Sequence, residues 1–596
     1  MSTYIPPLKD MQFLMREIAG IDEIAQLPGF EEASVDVVDA ILEEAGKFSS
    51  GVLAPLNWSG DQEGAKFNNK QVTTPVGFKE AYQQFIANGW NGLGCHPEFG
   101  GQGMPKLVNA AVSEMWRSSN ISFALCPMLT MGAVEALELA GSDELKNAYL
   151  PKMISGEWTG TMNLTEPQAG SDLAAVRSRA EPQGDGSYRI FGQKIFITYG
   201  DHDMAENTIH LVLARLPDAP EGVKGISLFI VPKFMIKADG SLGERNDAWC
   251  VSIEHKLGIH ASPTCVMAFG DNGGAVGYLV GQANEGLKYM FVMMNAARFF
   301  VGVEGLGLAE AAYQKAVTFS RERVQGRAIE GSPAPVAIIK HPDIRRMLME
   351  MRSRIEAMRA ISFWSAGIHD RGVKHPDANE RKRFLALAEF MTPIVKAWFT
   401  ETGNEMTYLG VQIHGGMGFI EETGAAQFMR DARITTIYEG TTGIQALDLI
   451  GRKTARDGGT TLKALLAMMQ DTLVELGKQS GADFVRLAQA LKEGIDAAGN
   501  AGTFVAEGLG KTPREVAAGA VPYLRLMGLV CGGWLLARSA LVAQAKIAGG
   551  DSDPFYVAKI QTARYFADHA MTAIAGFAAE VVAGGESTLA LDDAMF

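Results

Sequence analysis

The sequence predicts an α+β chain in which one β region interrupts long helical stretches, and three observations carry that prediction. Apolar residues recur at helical spacing over about residues 36–160. Short β-branched and aromatic runs, separated by Gly, Pro and Asp, replace them over 161–283. The helical period then returns over 284–452 and again over 453–596. The order that follows is an N-terminal extension (1–35), an N-terminal α domain (36–160), a middle antiparallel β domain (161–283), a four-helix bundle (284–452) and an additional C-terminal helical domain (453–596).

Each element has its own justification. The extension contains Ile5-Pro6-Pro7, whose prolines hold the preceding residues extended. Val35, Val38, Ile41 and Leu42 mark a helix, as do Phe78, Tyr82 and Phe85. The stretch from His96 to Gly103, with its Pro and three glycines, reads as a turn between helices. Strands are predicted at Tyr188 to Ile197, Thr208 to Leu216, Gly225 to Val231, Trp249 to Ile253 and Thr264 to Phe269. Leu287, Met290, Phe291, Met294, Arg298 and Val301 then share one helix face, and amphipathic stretches at 337–370, 378–410 and 439–451 supply the rest of a bundle. Arg298 is a charge on that apolar face, so it requires an anionic partner or a path to water. Beyond the Asp457-Gly458-Gly459-Thr460 linker, Leu462, Leu465, Leu466, Met469, Leu473 and Leu476 line one face of a packing or dimer-forming region without a catalytic cluster.

Composition narrows the function. With 596 residues, 47% hydrophobic and 20% charged, the chain exceeds one ordinary domain and can fill several cores. A net charge of −14 argues against a surface that neutralises phosphates, so no nucleic-acid partner is expected. Five scattered cysteines, with no C-x-x-C pair or His cluster, suit a reducing cytoplasm and a protein without metal. The N-terminus does not read as a signal peptide, and the uncharged run Leu526 to Ala537 is shorter than the roughly 20 residues that span a bilayer, so no membrane partner is expected. Gly302, Gly305 and Gly307 fall inside a helical stretch rather than after a strand, which argues against a nicotinamide-binding Rossmann unit.

The chemistry concentrates in Val411 to Gln445. Here a glycine cluster (Gly415, Gly416, Gly418) and an Arg430-Asp431-Ala432 step precede one carboxylate, Glu439, between Tyr438 and Gly440. Adjacent glycines let backbone approach a bulky anionic ligand, and a carboxylate beside an aromatic ring can be kept partly dry and made more basic. Gln412, Gly415, Gly416, Gly418, Phe419, Arg430 to Ala432 and Tyr438 to Thr441 resemble, in order, the C-terminal signature of the acyl-CoA dehydrogenase family. A second element, Met162 to Asp172, resembles the family's T-E-P-x-A-G-S-D segment, and Lys194 to Thr198 resembles the strand whose aromatic residue covers the flavin.

That resemblance implies FAD as cofactor, contacted by Met162, Leu164, Thr165, Gly170, Ser171, Phe196, Thr198, Arg323, Gln412, Gly415, Gly416 and Thr441. It places Ser171, Arg298, Tyr438 and Gly440 against an acyl-CoA thioester, and the loop around Pro97-Glu98 near the acyl end of the pocket. It makes Glu439 the catalytic base that removes the α-proton while hydride leaves the β-carbon for the flavin, with the enolate stabilised by backbone and ribityl donors. A family subset carries its base just before the residue matched by Arg298; that position is Ala297 here. Other departures are Phe196 where many members have Trp, a loop at Val324 to Arg327 one residue shorter, and Gly443 in place of a larger polar residue. The resemblance spans the whole chain and includes the extra C-terminal domain of a larger bacterial branch. Overall similarity within it points to 3-(methylthio)propanoyl-CoA as substrate. An electron-transfer flavoprotein as electron acceptor, a cytoplasmic location and a homodimer are further expectations. A fatty acyl-CoA dehydrogenase of other chain length, an oxidase on the same fold and a DNA-binding family relative are the alternatives.

Overall fold

The computed structural model describes residues 4–596, which form two compact units. The first comprises Lys47–Met104 and Ser119–Ala297; the second comprises residues 4–46, 105–118 and 298–596.

In the first unit an eight-stranded sheet is built from β1 (Trp158–Asn163), β2 (Arg179–Pro182), β3 (Tyr188–Thr198), β4 (Asn207–Arg215), β5 (Ile226–Pro232), β6 (Ala248–Ile253), β7 (Thr264–Phe269) and β8 (Ala275–Val280). Strand order is β6-β7-β3-β8-β5-β4-β1, with β2 pairing β3 and β4. Ile190, Ile197, Val212, Phe229, Val231, Cys265 and Phe269 are buried in its core, as alternation in the sequence requires. The sheet is not wholly antiparallel: β1 runs parallel to β4, with Trp158 opposite Asn207 and Asn163 opposite Val212. β1 was missed because its residues are buried on both faces, so Trp158-Thr159-Gly160-Thr161 shows no alternation, and it follows a helix (Asp143–Ser155) closely. A two-residue turn at Asn69 and Lys70, both at positive φ, also makes a hairpin of Lys66–Asn68 and Gln71–Thr73 inside the stretch predicted helical. His96 to Gly103 contains a single turn of 3₁₀ helix, Pro97–Phe99.

The second unit is helical. Ile5 is held extended by Gln314, whose side chain accepts from its N–H at 2.9 Å and donates to its carbonyl at 2.7 Å. α1 (Leu8–Phe13) follows, then α2 (Lys106–Ala140), α3 (Gly286–Glu322), α4 (Pro342–Lys374), α5 (Ala378–Pro393) and α6 (Phe399–His414). α2 and α3 each run into the first unit, and α2 departs from helical geometry at Asn120. A π-turn, Ile394–Trp398, joins α5 to α6, so 378–414 is one nearly continuous helical stretch. α7 (Ala425–Ala432) and α8 (Thr442–Asp448) complete the bundle; the helix predicted from residue 439 starts three residues later. α9 (Thr460–Leu476), α10 (Ala482–Gly508), α11 (Ala520–Ala548) and α12 (Pro554–Tyr565) make the last region. Leu526 to Ala537 is the middle of the 29-residue α11, which is long and apolar enough to cross a membrane by length and composition but is 83% buried over its most apolar window. It is core.

Gly302, Gly305 and Gly307 serve helix packing. A Cβ at Gly302 would lie 2.4 Å from the Val395 carbonyl oxygen, one at Gly305 2.5 Å from that of Phe399, and one at Gly307 2.9 Å from Arg117 Cβ. Their absence of side chains lets α3 lie directly against α2 and the 394–400 backbone.

Candidate active site

In the first unit the segment after β1 is organised by one carboxylate. Glu166 and Ala169 exchange backbone hydrogen bonds at 3.0 and 2.9 Å, closing a turn. The Glu166 side chain accepts from Lys194 Nζ (2.8 Å), Ser178 Oγ (2.6 Å) and the N–H groups of Arg177 (2.8 Å) and Ser178 (3.0 Å). These donors hold its carboxyl down to about 2 against the opposing effect of burial, while burial brings the enclosed Lys194 ammonium down to about 8. The two values bracket neutrality, so the pair is ionic at pH 7. Lys194 also donates to the Leu164 carbonyl at 3.0 Å, and Ile195 N–H to that of Thr165 at 2.9 Å, which pins the segment to β3.

On this support Gly170 and Ser171 are exposed, Thr165, Met162 and Thr198 are partly buried and Leu164 is buried. Phe196 leaves 59% of its surface exposed and stands at φ 59°, a left-handed conformation uncommon for an aromatic residue. An exposed ring held by a rigid strand, beside hydroxyls and small residues, fits the flat face and polar edge of a flavin.

In the second unit, Gly415 (φ 60°) and Gly416 are exposed, and a Cβ at either would meet nothing within 4 Å. Open space over two adjacent glycines fits close approach of a ligand. Gly418 differs, since a Cβ there would lie 2.3 Å from the Val411 carbonyl oxygen. Gln412 and Arg323 are exposed, and Arg323 donates to Gln325 at 3.3 Å. Arg430, by contrast, is used internally: it grips Glu421 with two hydrogen bonds of 2.9 and 2.7 Å.

Glu439 sits on the turn between α7 and α8. Its φ is 54° and that of Gly440 is 90°, so two successive residues are left-handed. The positive φ of Gly440 favours glycine, and a Cβ there would also press on Gln445 Nε2, 2.5 Å away. Thr441 caps α8, its Oγ1 accepting from Ile444 N–H at 3.2 Å. Burial pushes the Glu439 carboxyl up to about 7, opposed by the Arg298 guanidinium and the Lys396 ammonium. Arg298 is itself buried, with Asp448 and Glu439 as the anions that favour its charge. Lys396, fully enclosed, donates to the Thr435 carbonyl at 2.8 Å and is brought down to about 8 by burial. A carboxylate poised near neutrality between two cations can take a proton from a weak carbon acid.

Sequence reasoning missed Lys194 and Glu166 as a pair, and also Lys396, Arg117 and Glu304. Glu304 carried a usable signal, being one acid in the apolar run Phe299 to Ala309, as Arg298 is one base on the same helix.

Comparison with known proteins adds four matches along the chain: the acyl-CoA dehydrogenase N-terminal domain (38–157), middle domain (161–271) and C-terminal domain (284–454), and an acetyl-CoA dehydrogenase C-terminal-like domain (465–592). The chain is 48% identical over 588 residues to 3-methylmercaptopropionyl-CoA dehydrogenase of Ruegeria pomeroyi, covering 98% of this chain and 99% of the relative. It is 34% identical over 619 residues to the broad-specificity linear acyl-CoA dehydrogenase FadE5 of Mycobacterium tuberculosis, covering both chains fully. Among solved structures, Caenorhabditis elegans ACDH-11 in complex with C11-CoA shares the fold, with a TM-score of 0.78 at 20% identity over 95% of this chain and 91% of that one.

Proposed function

The chain belongs to the acyl-CoA dehydrogenase family of FAD-dependent oxidoreductases, and from that premise we propose that it converts 3-(methylthio)propanoyl-CoA to 3-(methylthio)acryloyl-CoA in dimethylsulfoniopropionate breakdown. The observation that carries the proposal is Glu439, a carboxyl pushed up to about 7 on a left-handed turn. The substrate rests on 48% identity over nearly the full length of a dehydrogenase named for that thioester.

Glu439 takes the α-proton, and the electron pair of that C–H bond becomes half of the new α,β double bond. Its own N–H, on the half-buried turn, donates to the thioester oxygen as negative charge develops there. Arg298 and Lys396 offset the charge of the free carboxylate, and burial keeps it basic enough to act. The chemistry that bound FAD supplies is acceptance of the β-hydride; Phe196, Thr165, Ser171, Gly415, Gly416, Gln412, Arg323 and Thr441 would hold it. A separate acceptor of the electron-transfer flavoprotein type then takes up the two electrons and returns the enzyme to its oxidised form.

The working form is a cytoplasmic homodimer. Met417, Phe419, Ile420, Met429 and Ile437, all exposed and apolar, cluster along the turn-rich segment that carries Glu439, and burying them against a second copy removes an unfavourable surface. Light scattering should report twice the 64.0 kDa chain mass, and a monomer that retains flavin refutes the dimer.

FadE5 motivates a second reading, oxidation of straight-chain thioesters. Anaerobic bleaching of the flavin by a thioester panel separates the two. The proposal expects fastest reduction with the sulfur-containing thioester; faster reduction by butanoyl- or longer acyl-CoA replaces it.

A further inference from the structure

Six residues after Arg298, α3 carries a second charge, Glu304, whose surroundings are set by the glycines beside it. Because Gly302 and Gly305 admit the backbone of 395–400 and Gly307 admits α2, Glu304 is fully enclosed. It faces Arg117 on α2, Lys396 on the π-turn, and Tyr438 and Glu439 on the turn before α8. Tyr438 Oη donates to Glu304 Oε2 at 2.5 Å, while Oε1 is buried without a hydrogen-bond partner. A buried carboxylate with one oxygen unsatisfied is costly to keep in a fold. Its one firm contact runs to the residue next to Glu439, which stands at a left-handed φ that glutamate adopts rarely.

We propose that Glu304 is a positioning residue for Glu439: through the Tyr438 hydroxyl it holds the left-handed turn, and its charge counterbalances Lys396, which acts on both carboxylates. The inference rests on the reading of Glu439 as the proton-abstracting group. Burial pushes Glu304, like Glu439, up to about 7, and the Glu439 charge contributes to that rise. The Glu439 charge favours a proton on Glu304, and the repulsion works both ways, so an ionised Glu304 favours a proton on Glu439 and strengthens it as a base. The cations opposing this are Arg117 and Lys396 at Glu304, and Arg298 and Lys396 at Glu439.

The test is the pH profile of anaerobic flavin reduction by 3-(methylthio)propanoyl-CoA in the holoenzyme, for wild type, Glu304→Gln, Tyr438→Phe and Glu439→Gln. Glu304→Gln keeps the volume and an acceptor for the Tyr438 hydroxyl but removes the charge. Its acid limb should move to lower pH by about half a unit or more, with a plateau several-fold lower, because a less basic Glu439 is a weaker proton acceptor. Tyr438→Phe should move the limb in the same direction by less, flavin content should stay at the wild-type level in both, and thioester affinity should stay at the wild-type level in Glu304→Gln. Profiles of Glu304→Gln and Tyr438→Phe that superimpose on wild type, with Glu439→Gln inactive, overturn this inference alone. Wild-type reduction by Glu439→Gln overturns the assignment of the base and this inference with it. Should Glu304→Gln fail to fold, the limb of Tyr438→Phe decides the matter.

Discussion

Two groups of buried charge in the helical unit are made from the same residue types and behave differently. In the first, Arg359 donates to Glu114 (2.8 and 2.6 Å), Asp10 (2.8 Å) and Glu310 (2.7 Å), while Lys559 pairs with Asp10 and, at 2.9 Å, with Glu356. Arg352 closes the group on Glu356 at 2.7 Å. Asp10 is held below, and Arg359 and Lys559 above, their ordinary ranges, because partners outweigh burial; Glu114 is the exception, pushed up to about 7 because burial prevails there. In the second group, around Glu439, burial prevails throughout: Glu439 and Glu304 rise to about 7 and Lys396 falls to about 8. Saturating pairs make charge structural, tying α1, α2, α3, α4 and α12 together. Incomplete pairing leaves carboxyls able to exchange a proton near neutrality.

The sharpest break of this comparison is Glu439→Gln, which preserves shape but cannot accept a proton. Flavin reduction should fall by about a hundred- to ten-thousand-fold with FAD content and thioester binding retained, as stopped-flow bleaching would record. Next in size is Arg359→Met, which leaves Asp10, Glu114 and Glu310 without their shared cation. Removing one partner of a buried ionic group costs roughly 3–5 kcal/mol, so calorimetry should show a lower unfolding midpoint for the helical unit, whereas the acid limb of flavin reduction stays in place.

A smaller effect is the pH dependence of the wild type. Glu439 acts as a base only when ionised, so reduction should climb about tenfold per pH unit below its value of about 7 and level off above it. A limb near 4.5, the ordinary value, would place Glu439 in contact with water rather than in a drying site. The smallest expected effect is on stability. A carboxyl raised on folding stabilises fully below about pH 4.5 and loses that contribution as pH rises to about 7. Glu439→Gln removes the loss, so the variant's unfolding free energy should gain on wild type as pH rises from about 4.5 to about 7, by about 3 kcal/mol at most. An equal gain from Arg359→Met would erase the distinction between the two groups.

The α+β order of the chain was legible because each region repeats its period many times: β7 is predicted residue for residue at Thr264–Phe269, and α3 and α11 show as long apolar patterns. The three-residue strands of the Lys66–Thr73 hairpin were too short for a period to stand out, and β1, as long as β7, was not legible because Gly160 interrupts it and five of its six residues are buried, which leaves no alternation. Arg298 was legible as a buried charge in need of an anion, and the structure sets Glu439 and Asp448 near it. The Arg430-Asp431-Ala432 step gave no hint that its guanidinium is engaged by Glu421 nine residues earlier, since either exposure or pairing suits an arginine after a turn.

By itself, then, the sequence determined the order of helical and β regions and five of the eight strands of the sheet, and that one acid between Tyr438 and Gly440 follows a glycine-rich loop, because those facts depend on neighbours along the chain. Only the tertiary structure decided how acidic that group is. Arg298, Lys396 and Glu304 lie 141, 43 and 135 positions before Glu439 in the chain, and they meet it through packing that three glycines on α3 allow. Burial and convergent charge set proton affinity, and neither is a property of a residue's neighbours in sequence.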